Sequence, residues 1–138
     1  MLLDSVNIVM VLATTAVSMA IGWAWYSPLL FGKAWLKALG KTEAEMGAMN
    51  KGSSKPLVLE LVATFVKMYV LTLFISAALT ETIWDGALIA LWLWLGLVVT
   101  TNFSVVAFEG RSRGAYLIGI ACQLVTLVVA GMLLAVWQ

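Results

Sequence analysis

The chain has 138 residues, of which 63% are hydrophobic and 11% are charged, and its formal net charge is +1. A soluble domain of this length is about half apolar and about a quarter charged, so this composition excludes a water-soluble globule and indicates a chain that folds in a lipid bilayer. The sequence contains no histidine and one cysteine, Cys122. It therefore lacks the commonest general base and metal ligand, and it cannot form an internal disulfide.

Four apolar runs follow one another along the chain, and each is close to the length of about 20 residues that a helix needs to cross hydrocarbon. The runs do not alternate as barrel strands do, and helices satisfy their own backbone in lipid. The start of the sequence lacks the basic residues of a signal peptide, so the first run is expected to be retained. We predict an all-α integral membrane four-helix bundle, one transmembrane domain over residues 1–138, with spans at about 5–26, 56–79, 83–108 and 115–137.

The basic residues predict how the spans are oriented. Seven of the eight lie in two connections: Arg111 and Arg113 between spans three and four, and five lysines between spans one and two. The amino terminus and the connection between spans two and three carry only acids. The positive-inside rule therefore places both termini outside and both basic connections in the cytoplasm. A bacterial source would make this membrane the inner membrane. The five lysines are Lys33, Lys37, Lys41, Lys51 and Lys55.

Residues 27–55 are expected to form a cytoplasmic interfacial segment. Pro28 disfavours a helical conformation at Ser27 and suits the start of a new helix. Within Leu29–Leu39, Lys33 and Lys37 share one helical face, which predicts a short amphipathic helix lying in the interface. The opposite, apolar face carries Phe31, Trp35, Ala38 and Leu39. An anchor for span one is the simpler interpretation, and a binding surface for a partner or lipid is the alternative. Three aromatic residues are expected at headgroup depth, namely Trp23, Trp25 and Tyr26.

The pattern W-Y-S-P-x-x-F-G-K-x-W in the same region resembles the bacterial and fungal membrane family catalogued as domain of unknown function 1761. The stretch from Trp92 to Ile120 is similar to that family in its W-x-G-x-x-x-T-T run and its F-E-G-R turn. The resemblance covers essentially the whole chain and implies a small protein with several spans, but it implies no activity, substrate or catalytic residue. The pattern consists of Trp25, Tyr26, Ser27, Pro28, Phe31, Gly32, Lys33 and Trp35.

Polar side chains inside the predicted spans define a candidate pocket. Lys67 lies near the middle of span two, with Glu60 seven positions earlier on the same helix face. A charge at a helix centre costs about 2.5–3.5 kcal/mol, so Lys67 is a candidate functional residue. If the polar faces converge, they form a pocket open toward the cytoplasm. The alternative is structural: a Lys67–Glu60 pair and amides that join helices. The candidate residues are Lys67, Glu60, Asn102, Gln123 and Glu109, the last of which could pair with Lys67 or Arg111.

The sequence carries no phosphate-binding loop, no cluster of metal ligands and no nucleophile–base pair, so we expect neither an enzyme nor a cofactor or metal. It also lacks the long basic block of a nucleic-acid-binding protein. We therefore predict a small polytopic membrane protein that handles a small solute or ion through an oligomeric bundle. The alternative is a structural or accessory membrane protein that binds lipid or partner subunits. The expected partners are membrane lipids and further copies of the chain.

Overall fold

The computed structural model describes residues 1–50, 52 and 54–137. Lys51, one of the five lysines of the first basic connection, lies outside these residues. Every regular element in the described part of the chain is helical, which confirms the predicted all-α class. After a short 3₁₀ turn at Leu2–Ser5, the elements are α1 (Ile8–Trp25), α2 (Gly32–Leu39), α3 (Glu43–Asn50), α4 (Lys55–Ala77), α5 (Ile83–Leu93), a π-helical segment (Trp94–Val99), α6 (Thr100–Glu109) and α7 (Arg113–Val136).

Four helical stretches are long and apolar enough to cross a membrane, which confirms the predicted number of spans. Three of them are the single helices α1, α4 and α7. The remaining one, Ile83–Glu109, is composite, because α5, the π-helical segment and α6 follow one another without a break. The predicted spans differ from these stretches by no more than a few residues at any end.

Short polar residues and a glycine fix the ends of the helices. The Asn7 side chain accepts hydrogen bonds at the start of α1, and Ser112 does the same for α7. Thr82 and Asp85 bond reciprocally at the start of α5, which satisfies backbone donors that the first turn leaves free. Gly110 ends α6 with a φ of 66°, a left-handed conformation that glycine adopts without strain. The chain therefore passes from α6 to α7 through a very short connection.

The helix α7 lies at the centre of the fold and packs against α1, α2, α4, α5 and α6. Its closest neighbour is α5. A Cβ atom added to Gly131 would lie 2.5 Å from the carbonyl oxygen of Gly86 and 3.0 Å from the Cβ of Ala90. The two backbones are therefore in direct contact, as small residues allow in membrane helices. The pair Gly86-x-x-x-Ala90 thus forms the tightest helix crossing of the bundle.

The two basic connections lie at the same end of the bundle. The helix α2 follows α1 and packs on the first turns of α7, where a Cβ atom on Gly114 would lie 3.2 Å from the Cβ of Ala38. Arg111, in the other basic connection, lines a cavity together with Trp35 of α2. We call this end the basic end. Its placement on the cytoplasmic side of a membrane stays a prediction.

Candidate functional site

The W-Y-S-P pattern builds a compact reversal between α1 and α2. The Ser27 hydroxyl donates a hydrogen bond to the Ala24 carbonyl oxygen at 2.7 Å, and the backbone N–H of Gly32 donates to the Ser27 carbonyl oxygen at 3.0 Å. Gly32 is buried, and a Cβ atom there would lie 2.5 Å from the carbonyl oxygen of Tyr26. Only glycine fits this position without a backbone shift. The pattern therefore has a structural explanation at these residues, while Pro28 and Lys33 are exposed.

Two aromatic pairs join the two sides of this reversal, and one hydrogen bond holds it against α7. The rings of Trp25 and Phe31 lie with their centroids 4.5 Å apart, and Tyr26 meets Trp35 edge-on at 5.0 Å. The indole N–H of Trp25 also donates to the Ile118 carbonyl oxygen of α7 at 3.1 Å. Trp25 was expected only at headgroup depth, but it is half-buried and joins two helices. The neighbouring pair, Tyr26 and Trp35, lines a cavity.

A cavity of about 790 Å³ lies at the basic end between α2, α6 and α7. Its volume is within the range of about 300–1,000 Å³ that is common for small-molecule sites. Apolar side chains from α2, the third span and α7 form much of its wall, and Lys67 is the contribution from α4. The polar groups that line it include Tyr26, Lys67, Asn102, Arg111, Tyr116 and Gln123.

Lys67 is hydrogen-bonded across the bundle rather than along its own helix. Its ammonium donates to the side-chain oxygen of Gln123 on α7 at 2.9 Å. Glu60, the predicted partner, is exposed and accepts a hydrogen bond of 3.4 Å from Thr64. Lys67 and Glu60 both lie in the described part of the chain, and no ion pair joins the Lys67 ammonium to the Glu60 carboxylate. Seven residues separate these groups by roughly 10 Å along the helix, so a longer-range electrostatic attraction joins them and not the direct pair of the structural interpretation.

The other candidate residues divide between the cavity and its surroundings. Asn102 and Gln123 line the cavity with Lys67, although Asn102 donates to the Val98 carbonyl oxygen of its own helix at 2.8 Å. Glu109 is exposed and pairs with Arg111 at 3.1 Å, which is one of its two predicted partners. Neither Glu60 nor Glu109 is among the described residues that line the cavity. The functional role of the set stays a prediction.

Two hydrogen bonds that sequence reasoning missed tie the third span to α7. The indole N–H of Trp94 donates to the Ile120 carbonyl oxygen at 2.7 Å, and the Tyr116 hydroxyl donates to the Val99 carbonyl oxygen at 3.0 Å. They lie at the two ends of the π-helical segment. A π-helix leaves its carbonyl groups differently aligned from those of an α-helix, and such segments are frequent at functional sites. In the sequence these bonds are indicated only by Trp94 and Tyr116 themselves, which lie in apolar runs and carry side chains that can donate a hydrogen bond.

The cavity presents positive charge and neutral donors. Its charged lining residues are Lys67 and Arg111, and no aspartate or glutamate lines it in the described parts of the chain. The Glu109 pair compensates Arg111 at the rim, whereas Lys67 has the neutral amide of Gln123. The Tyr26 phenol also lines the cavity, and its neutral hydroxyl can donate a hydrogen bond. This arrangement favours an anion over a cation.

The fold and the cavity define a small all-helical protein with four helices of membrane-spanning length and a cationic cavity at one end. The family model described as "Protein of unknown function (DUF1761)" matches residues 9–135. The chain therefore belongs to this family, which confirms the resemblance carried by the two sequence patterns. No curated protein and no solved structure matches the chain. The family description assigns no activity, so the case for a function rests on the cavity.

Proposed function

We propose that this is an integral membrane protein that binds a small anionic solute in the cavity beside Lys67. The observation that carries the proposal is the Lys67 ammonium, which is half-buried inside a helix of spanning length and bonded to the neutral Gln123. An ammonium taken out of water is strongly destabilised unless an opposite charge compensates it. Glu60 attracts this ammonium electrostatically, but no carboxylate of the described residues lies within ion-pair distance of it, so a bound anion would complete the site.

The position of the cavity supports access from the cytoplasm. It lies at the basic end, where the lysines of the first connection and Arg111 and Arg113 of the second are expected to face the cytoplasm. Lys37 and Arg113 are exposed at this end, and the summed charge there would raise the local concentration of anions near the opening. The role that we propose is therefore the capture of an anionic solute from the cytoplasmic side, with Lys67 as its binding residue.

Ligand-dependent thermal unfolding of the full chain in zwitterionic nanodiscs tests this function. Sodium salts of carboxylates and phosphates should raise the unfolding temperature, because a ligand at 100 times its Kd adds about 2.7 kcal/mol to the folded state. At that concentration Lys67→Gln should lose about half of this response, and Lys67→Arg should lose less. Lys33→Gln is the matched control, since Lys33 is exposed on α2. An equal response in the wild type and Lys67→Gln would contradict the proposal.

A different observation favours the alternative role in assembly. The third span, Ile83–Glu109, buries almost none of its side chains within one chain, and polar Thr101 and apolar Phe103 are both exposed on it. Further copies or a partner subunit would cover this surface, as predicted for an oligomeric or accessory protein. Native mass spectrometry of the protein released from nanodiscs should then show more than one copy or a retained partner. A free single chain with full anion binding would argue against this second role.

A further inference from the structure

We infer that the ligand of this cavity is an amphipathic anion, with a carboxylate or phosphate head and an aliphatic tail, and that it enters at the same basic end, sideways from the bilayer beside α6. The inference rests on the proposed anion-binding function and adds the class of ligand and its route. Three features support it. They are the hydrogen-bond donors of Lys67, Gln123 and Tyr26, the apolar wall of the cavity, and the small contact between α6 and α7.

The head of the ligand would lie at Lys67. An ammonium has three donors, and the hydrogen bond to Gln123 at 2.9 Å uses one of them. The Gln123 amide and the protonated Tyr26 hydroxyl line the same cavity. Carboxylate and phosphate oxygens accept several such bonds at once, and bonds to a charged donor are about twice as strong as neutral ones. A head with two or three oxygens therefore fits this set of donors.

The tail would lie along the third span. Val98, Val105 and Val106 line the cavity from that side, and Ile120 of α7 and Leu39 of α2 line it from the other sides. Contact between such a wall and an aliphatic tail removes apolar surface from water, which is favourable. A small water-soluble anion such as acetate has no tail to make this contact. The volume of about 790 Å³ also exceeds what a single small inorganic anion fills. Head and wall together select for an amphiphile.

The route follows from the packing of α6. The helix α5 packs closely along α7, whereas α6 makes much less contact with it, and the Tyr116–Val99 hydrogen bond ties α7 to the π-helical segment just before α6. On its other side α6 presents Phe103 and Phe108, which are 61% and 92% exposed. The wall at α6 is thus one helix thick, with hydrocarbon expected beyond it. An amphiphile in the bilayer can reach Lys67 beside α6 with its tail still in an apolar environment.

Competition binding tests the ligand class. The full chain in phosphatidylcholine nanodiscs would be titrated with radiolabelled dodecanoate and with dodecyl phosphate, with acetate and inorganic phosphate as unlabelled competitors. Both amphiphiles should bind saturably, and acetate or inorganic phosphate should compete only weakly, at concentrations more than 100-fold higher than that of the amphiphile. Lys67→Gln should weaken binding by about tenfold, the loss expected for one charge-assisted hydrogen bond. Lys33→Gln should bind as the wild type does.

A cavity-filling variant tests the tail separately. A Cβ atom on Gly119 would have the Tyr26 hydroxyl as its nearest described neighbour, at 3.6 Å, and Gly119 lines the cavity, so the side chain of Gly119→Leu should occupy part of the cavity. It should abolish dodecanoate binding while the unfolding temperature stays near that of the wild type. Gly22→Leu is the matched control, because no described atom lies within 4 Å of the Cβ position and Gly22 does not line the cavity.

The outcomes separate the two proposals. Displacement of dodecanoate by acetate or inorganic phosphate at similar concentration would overturn the amphipathic ligand and leave anion binding intact. Undiminished dodecanoate binding in a folded Gly119→Leu would also overturn it. Binding of dodecyltrimethylammonium as tight as that of dodecanoate, or no Lys67-dependent binding of any anion, would overturn both the ligand class and the proposed function.

Discussion

The two halves of the third span meet the same helix, α7, in opposite ways. In the half formed by α5, Gly86 crosses Gly131 so closely that the backbones touch. In the half formed by α6, the helix makes far less contact with α7, and a cavity of about 790 Å³ lies beside it. The π-helical segment Trp94–Val99 separates the halves. Since such a segment changes the rotation of the helix that follows, it offers a physical reason why one continuous span packs at one end and opens at the other.

This difference assigns stability and binding to separate ends of the bundle. The core includes Ala90, Ala130 and Leu134, which lie on the α5–α7 side away from the cavity. The cavity end depends on hydrogen bonds to a few aromatic side chains rather than on close backbone contact. Regions with fewer buried apolar contacts open more easily, and binding sites are commonly found in them. Changes at the glycine crossing should therefore affect folding, and changes at the cavity should affect binding.

The largest effect is expected at the glycine crossing. In Gly86→Ala the new Cβ atom would overlap the carbonyl group of Gly131, so the two helices must move apart. We expect the free energy of unfolding to fall by about 1–3 kcal/mol or more, as overpacking does elsewhere. The measurement is chemical or thermal unfolding in detergent. Gly22→Ala is the control, since its Cβ position has no described atom within 4 Å, and equal stability of the two variants would contradict the close crossing.

An intermediate effect is expected at the junction between the halves. Trp94→Phe removes the hydrogen bond to the Ile120 carbonyl oxygen but keeps an aromatic ring. The loss should be about 1 kcal/mol of unfolding free energy, the usual net value of one hydrogen bond. Trp92→Phe provides the comparison, because Trp92 is 65% exposed and should change little. Hydrogen exchange should also show faster exchange in α6 than in α5 for Trp94→Phe; uniform protection would argue that the halves are not separable.

The smallest effect is expected from a minimal change inside the cavity. Gly119→Ala adds one methyl group at 3.6 Å from the Tyr26 hydroxyl, an ordinary contact distance. Alanine is the better helix former, so unfolding free energy should rise by about 0.5–1 kcal/mol. The same unfolding assay measures it beside Gly86→Ala. A loss as large as that of Gly86→Ala would mean that the cavity end is packed as tightly as the glycine crossing.

The sequence predicts the spans well because length and hydropathy alone decide them. Lys67 and Gln123 were also found, since charged and amide side chains are costly in apolar runs and stand out there. The hydrogen bond from Lys67 to Gln123 was not predicted, because spacing along α4 places Glu60 but does not show which residue of α7 lies opposite. The π-helical segment was not predicted: Trp94–Val99 has the composition of any apolar span. The cavity depends on that segment, so its shape could not be derived from the sequence.

The central claim is that the Lys67 ammonium receives the head of a bound amphipathic anion. The most direct measurement is the ¹⁵N spectrum of side-chain ammonium groups in ¹⁵N-lysine-labelled protein in phosphatidylcholine nanodiscs, with Lys67→Gln to assign the resonance. Addition of dodecanoate should shift the Lys67 resonance saturably and leave exposed lysines such as Lys33 and Lys37 nearly unchanged. An unmoved Lys67 resonance at saturating dodecanoate, or the same small shift at every lysine, would contradict the claim.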